Sequence, residues 1–307
     1  MSQNSSLHNS MQPLTIGNII TVSLYLYRTH LILYSRLSII AYLWLLVPVY
    51  GWAKFFSNSA LISRLAFSEL IGKPESVKTA SRYIRRRLWS FLFTAILVII
   101  ACFVILILSY ILISIFLYGF SRLEPIKYIV RAIGSILTNS AFPRKYPLLA
   151  IFLGFSILFL VLAIVLVILI PSLWFYSRFF ITNLLFAIEN NISLFDGLNR
   201  SWKLTKGYFL RIQLILIIAI TIFLPVGILI QLFGSIINQL ASRIIISNSS
   251  TYPGFTSTLS YILPLGIILI NSVVIMPFFQ LIKAVIYYNL RVRKEGLDLE
   301  LCISDRH

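Results

Sequence analysis

From Leu88 to Phe120 the chain carries no charged side chain, with Arg85-Arg86-Arg87 before the run and Arg122 just after it. A hydrophobic run of roughly 18 or more residues crosses a bilayer core of about 30 Å as a helix. This one has length to spare, so it is expected to tilt or to extend past the interface. Similar runs recur along the chain, and lipid is therefore the solvent in which the sequence has to be read.

Composition agrees. Of 307 residues, 59% are hydrophobic and 11% charged, against about 25% charged in soluble domains. No polar stretch is long enough to bury a core of its own. The net charge is +17, from 26 Lys and Arg against 9 Asp and Glu. In a membrane chain such an excess is expected at anionic headgroups on the cytoplasmic side rather than on nucleic acid. Cys102 lies within the first long run and Cys302 in the C-terminal tail, so no disulfide framework is expected. The first basic residue is Arg28, which does not suit a signal peptide.

The expected architecture is an all-α, polytopic helical bundle of about six transmembrane helices with amphipathic interfacial helices. Residues 1–12 read as a disordered tail, 13–290 as a single membrane domain and 291–307 as a cytoplasmic tail. Spans are placed at about 31–47, 52–70, 88–118, 148–176, 208–240 and 259–290. The first pair is open to two readings: two short helices turning near Pro48 and Gly51, or one kinked helix continuing outside. Ile16, Ile19, Ile20, Leu24 and Tyr27 fall at helical spacing, as in a helix lying in the interface. Ser193 to Lys206 is a second such helix. Counting Lys and Arg by the positive-inside rule puts both termini and the segments around Arg82 to Arg87 and Arg200 to Arg211 in the cytoplasm. The connection from Gly119 to Pro147, with five basic residues, then faces outward.

A weak internal repeat runs through the chain. Glu189 follows Pro171 by 18 residues, and Glu295 follows Pro277 by 18. Pro48, Lys54 and Glu69 give a looser third copy. Pro48-Val49 and Pro225-Val226 each begin 18 residues after an amphipathic segment ends, at His30 and Gly207. Repeats of this kind are one signature of transporter folds, and chance alignment of prolines is the competing explanation.

Two segments resemble a known family. Ser193-Leu-Phe-Asp-Gly-Leu-Asn-Arg-Ser-Trp-Lys-Leu-Thr-Lys-Gly207 is similar to the amphipathic signature, and Pro277-Phe-Phe with Tyr287-Tyr-Asn-Leu-Arg-Val-Arg-Lys-Glu-Gly-Leu-Asp298 to the C-terminal signature, of the bacterial multi-pass membrane domain sometimes fused to glycerophosphodiester phosphodiesterases. Pro13-Leu-Thr-Ile-Gly-Asn and Pro48-Val-Tyr-Gly-Trp-Ala-Lys fit the same group. Asn289 stands where that pattern usually has Asp, so no carboxylate role is carried to it. The resemblance implies an all-helical membrane domain in the bacterial inner membrane. It does not imply phosphodiesterase activity, which belongs to a separate soluble barrel.

Groups that could carry chemistry are sparse. His8, His30 and His307 are the only histidines, and no GxxxxGK[ST], HExxH or CxxC motif occurs, so no catalytic, cofactor or metal residues are assigned. Polar side chains at membrane depth are costly; Gln231, Asn271 and Gln280 are the candidates, with interhelical hydrogen bonding as the plainer role. Arg36, Lys54, Arg64, Arg178 and Lys283 are expected to snorkel to headgroups. Arg85, Arg86, Arg87, Arg200, Trp202, Lys203 and Lys206 are the candidates for contact with anionic lipid. The expected function is that of a non-enzymatic, lipid-facing scaffold or an accessory of envelope transport or lipid handling, with lipids and an unidentified protein as partners. The alternatives are a small transporter with a path at the proline-kinked helices, and a headgroup enzyme built on Glu189, Asp196 and an arginine.

Overall fold

The computed structural model describes residues 14–122, 127–128, 131, 133–136, 145–189, 192–247 and 253–296. The expected tails at 1–12 and beyond 296, with His8, His307, Cys302 and Asp298, lie outside these. Among the described residues there is helix and turn but no strand. The elements are α1 (Ile16–Thr29), α2 (Leu31–Trp44), α3 (Tyr50–Leu70), α4 (Val77–Arg85), α5 (Leu88–Ser121), α6 (Pro147–Phe179), α7 (Thr182–Ile188), α8 (Leu194–Thr205), α9 (Phe209–Ser247) and α10 (Pro253–Glu295).

Among the described residues four stretches are long and apolar enough to cross a membrane: Leu88–Gly119, Pro147–Ile188, Phe209–Ala241 and Ile262–Glu295. The protein is an all-α, multi-pass membrane protein. Helices suit this solvent because every backbone polar group is satisfied within the segment. Among the described residues the most apolar windows of the first two stretches have none buried within the protein, which leaves Phe103 of α5 and Leu148 and Phe159 of α6 open to lipid. The last helix runs five residues beyond the expected end of its span, to Glu295.

The contacts divide the expected single domain into two compact units: the described residues up to Ala95 with those from Arg178 onward, and Ile96–Ser177. Within the second unit, the Ser109 hydroxyl of α5 donates to the Ile168 carbonyl of α6 at 3.3 Å.

The first unit is organised around α10, which packs against α1, α2, α3, α8 and α9. Its tightest neighbour is α3, which buries many small residues (Ala53, Ser57, Ala60, Ser63, Ala66 and Ser68) beside Leu61, Ile62, Leu65 and Phe67. Lipid tails are as apolar as leucine, so helices in a membrane associate by close packing, and small residues permit it. The serines bring polar groups into the packing, but Ser57, Ser59 and Ser68 return their hydroxyls to carbonyls of their own helix at 2.8–2.9 Å. From α10, Tyr287 packs its ring 5.2 Å from Phe67 of α3, and Phe278, Leu281, Ile282 and Val285 of the same helix are fully buried within the unit.

The amphipathic α1 places its apolar face against protein. Ile19, Ile20, Leu26 and Tyr27 are buried, and the Tyr27 ring meets Phe223 of α9 and Phe278 of α10 edge to face, with centroids 5.8 and 6.0 Å away. Its hydroxyl donates to the Val274 carbonyl at 3.0 Å, in the turn where Pro277 interrupts the helical ladder. Local chemistry sets the helix starts: Thr15, Ser76 and Ser193 each accept a hydrogen bond from the backbone N–H three residues on, as N-caps do. At the end of α3, Gly72 has φ +71°. Its N–H bonds the Glu69 carbonyl and the Lys73 N–H bonds the Ser68 carbonyl, the two bonds of a Schellman motif, whose left-handed position favours glycine.

Of the two readings of the N-terminal pair, the structure adopts separate helices, α2 and α3, packed together. The turn between them holds Val49 at φ 60° and ψ −70°, and the Tyr50 N–H bonds the Pro48 carbonyl at 2.7 Å. This is the rare γ-turn with positive φ, and its central residue is β-branched, for which positive φ is an outlier. Strain of this kind costs on the order of 1–3 kcal/mol. Val49→Gly is therefore expected to raise the thermal midpoint of the detergent-solubilised protein, while Val49→Ile leaves it unchanged or lowers it; circular dichroism melting checks both.

Candidate functional site

Helix α7 and the residue after it form the floor of a polar cluster at the end of the bundle that carries the α10 C-terminus. Gly197 seats α8 on that floor: a Cβ added there would lie 2.5 Å from the Phe186 ring, so only glycine permits the approach. One turn further along, Arg200 Nε donates to Glu189 Oε1 at 2.6 Å. The same guanidinium reaches Glu295 of α10 at 3.0 Å. The Tyr287 hydroxyl donates to Glu189 Oε1 at 2.9 Å, and Arg291 Nε donates to Glu295 at 2.8 Å. Burial pulls the Arg200 guanidinium down, but the hydrogen bond and charge of Glu189, followed by the charge of Glu295, outweigh it, so its pKa stands above the ordinary value. The two glutamates that match in the internal repeat thus meet on one arginine.

The cluster extends to α3 and α4. The Glu189 carbonyl accepts from the Tyr83 hydroxyl and from Arg87 NH1, both at 2.9 Å. Arg64 bonds both oxygens of Glu75 at 2.8 Å and donates to the Ala187 carbonyl, with its guanidinium 4.2 Å from the Tyr83 ring centroid. An open cleft of about 370 Å³ beside the cluster is lined by Asp196, Asn199, Arg200, Lys203, Lys294 and Glu295. Asp196 accepts from the Ser193 hydroxyl at the start of α8.

Of the residues proposed for lipid contact, Arg85, Arg86, Lys203 and Lys206 are exposed. Arg87 and Arg200 are engaged within the protein as described. Trp202 is half-buried, with its ring centroid 5.8 Å from that of Phe179 and 5.1 Å from the Arg178 guanidinium. The intramembrane candidates are dispersed. Gln231 is exposed on α9. Asn271 of α10 faces Gly227 of α9, where an added Cβ would sit 3.5 Å from its Oδ1. Gln280 accepts from Ser63 at 2.9 Å and from Lys283 at 3.0 Å.

Two of the expected snorkelling cations do not snorkel. Lys283 is 7% exposed, with its ammonium 5.1 Å from the Phe180 ring centroid; it donates to Gln280 on its own helix, whose Oε1 also accepts from Ser63 of α3, polar contacts that lipid could not offer. Arg64 turns to Glu75 because a carboxylate there compensates the charge more completely than a headgroup at a distance. The sequence signal for both was faint: for Lys283 a glutamine three residues earlier on its own helix, and for Arg64 a glutamate eleven residues later. Among the described residues no group of three or more His, Cys, Asp or Glu side chains could hold a metal ion.

Comparison of the chain with protein-family models, with curated proteins and with solved structures finds no match.

The Glu189 cluster makes a quantitative prediction. Hydrogen bonds to charged groups contribute about 1.5–3 kcal/mol each, and neighbours in one network are coupled. Glu189→Gln and Tyr287→Phe are each expected to lower the thermal midpoint. The double variant should fall short of the sum, a coupling that a double-mutant cycle measures directly. Arg200→Met should additionally make the Ser193–Gly207 segment sensitive to protease.

Proposed function

We propose that the chain is a non-enzymatic scaffold or accessory of a bacterial inner membrane, related to the membrane domain found with glycerophosphodiester phosphodiesterases, which engages anionic headgroups through the basic face of α4 and α8. One asymmetry in charge supports this. The described carboxylates are all held by the chain's own groups: Glu69 by His30, Glu75 by Arg64, Glu189 and Glu295 by Arg200, and Asp196 by Ser193. Arg85, Arg86, Lys203 and Lys206, by contrast, are exposed and make no ion pair among the described residues. The acids tie helices together; the surplus cations are left for an external anion, and each cation near an anionic leaflet contributes about 1 kcal/mol. Phe195, 77% exposed on α8, adds an apolar side chain for the acyl boundary. In this reading both termini are cytoplasmic.

A second reading, a small transporter, is favoured by one observation. The Oδ1 of Asn271 is buried without a hydrogen-bond partner among the described residues, two residues along from Pro225 on the opposing helix at Gly227. A polar acceptor left open near a helix proline is the kind of group that contacts a substrate.

Both readings can be tested. A cysteine introduced by Arg86→Cys, in a Cys102→Ser and Cys302→Ser background, should react with an impermeant maleimide in inverted vesicles and not in intact cells; the reverse pattern ends the proposed orientation. Neutralising Arg85, Arg86, Lys203 and Lys206 to Gln should weaken the protein's preference for anionic over zwitterionic lipid. Asn271→Leu should be tolerated in a growth assay if the chain is a scaffold. Loss of function with the folded protein intact favours the transporter.

A further inference from the structure

Outside the Glu189 cluster, two arginines converge on a single backbone oxygen. Arg211, at the start of α9, and Arg293, near the end of α10, both donate through NH2 to the Leu14 carbonyl; the Arg293 contact is 3.4 Å. Two guanidinium groups sharing one neutral acceptor are neighbours of like charge, an arrangement that costs energy unless an anion joins them. Neither makes a salt bridge among the described residues. The nearest acid along α10, Glu295, is committed to Arg200 and Arg291. Arg293 Nε meets the neutral amide of Asn289 at 3.3 Å, and Arg211 Nε is buried with no hydrogen-bond partner.

Two further features point to an anion. Each guanidinium offers five N–H donors, and these contacts use few of them. Helix α1 begins beside the shared carbonyl with no acidic residue in its first turn, so its open N–H groups add positive potential. The Tyr208 ring lies 6.0 Å from the Arg293 guanidinium, an aromatic face that helps hold that guanidinium beside the shared carbonyl. Depth then selects the class of anion. Arg211 and Arg293 stand two residues inside the ends of their spans, roughly 3 Å along the helix axis, where lipid phosphates lie.

We propose that Arg211 and Arg293 form a clamp for the phosphate of an anionic phospholipid, with the N-terminus of α1 completing it. Planar guanidinium forks suit phosphate oxygens two at a time. This rests on the reading of the protein as a binder of anionic lipid, and assigns it a defined site distinct from the exposed collar on α4 and α8.

The test uses the full chain in zwitterionic detergent, titrated with phosphatidylglycerol, with phosphatidylcholine or with inorganic phosphate, and read by thermal shift and by native mass spectrometry of retained lipid. Phosphatidylglycerol should raise the midpoint and be retained. In Arg211→Gln/Arg293→Gln its apparent affinity should fall about tenfold or more, a loss of the size expected when charge-assisted bonds are removed. Arg28→Gln, at the far end of α1 and exposed, should stay within about twofold of the parent, since an exposed charge outside the site contributes little. Asn289→Asp, which supplies Arg293 with a carboxylate, should also weaken binding. Arg211→Lys/Arg293→Lys, which keeps the charge and serves if the glutamine variant fails to fold, should lose part of the affinity. Parent-like binding in the glutamine variant, or in the lysine variant where only that one folds, overturns the clamp. So does equal loss of phosphatidylcholine, or inorganic phosphate giving the same saturable shift as the lipid. If binding is instead lost in an Arg85→Gln/Arg86→Gln variant and kept in the Arg211/Arg293 variant, the clamp fails while the broader lipid-binding reading stands.

Discussion

A carboxylate stripped of water is costly unless a cation meets it, and a membrane protein with few acids can place each one deliberately. Arg200 meets two. Its guanidinium joins Glu189, just past α7, to Glu295, at the end of α10, so the short surface helix α8 is fastened to two elements that enter the bundle separately. Tyr287 and Arg291 brace the same carboxylates from within α10, and Tyr83 and Arg87 bring α4 to the Glu189 carbonyl. With the hydrophobic drive between helices absent in lipid, such ties and the close packing of α3 on α10 have to supply what an aqueous core would supply by burial.

The positions of several candidate residues follow from that arrangement. Because α8 is drawn down through Gly197 and Arg200, Lys203 and Lys206 are left on its outer side. Because α10 continues to Glu295 and so reaches Arg200, Arg293 arrives at the start of α9 and meets Arg211 at the Leu14 carbonyl. The long last helix is thus both the axis of the first unit and the element that carries charge to the surface.

Much of the fold was legible in the sequence. The missing charges from Leu88 to Phe120 require a helix in lipid, and the same reasoning finds α6, α9 and α10. The amphipathic spacing of Ile16, Ile19, Ile20 and Tyr27 identifies α1, although spacing cannot say whether its apolar face meets lipid or protein; the structure buries it against α9 and α10. The equal intervals from Pro171 to Glu189 and Pro277 to Glu295 marked the two acids that Arg200 joins, without indicating that they meet. Lys283 was misplaced because hydropathy registers a charge and not the face on which it lies. Val49 could not be foreseen, since a β-branched residue is the last expected at positive φ. The pairing of Arg211 with Arg293 depends on a carbonyl near the other end of the chain, and backbone acceptors leave no trace in a sequence pattern.

The lipid-covered windows of α5 and α6 have an evolutionary consequence. Where no neighbouring side chain has to be fitted, Leu, Ile, Val and Phe are interchangeable so long as the segment stays oily, and drift there meets little selection. On the α3 face that receives α10, an alanine or serine enlarged by even one or two methylenes would push the helices apart. Divergence should accordingly run fast along the first pair of long helices and slowly along the serine-lined seam, leaving lineages that share an interior while their exteriors lose all likeness.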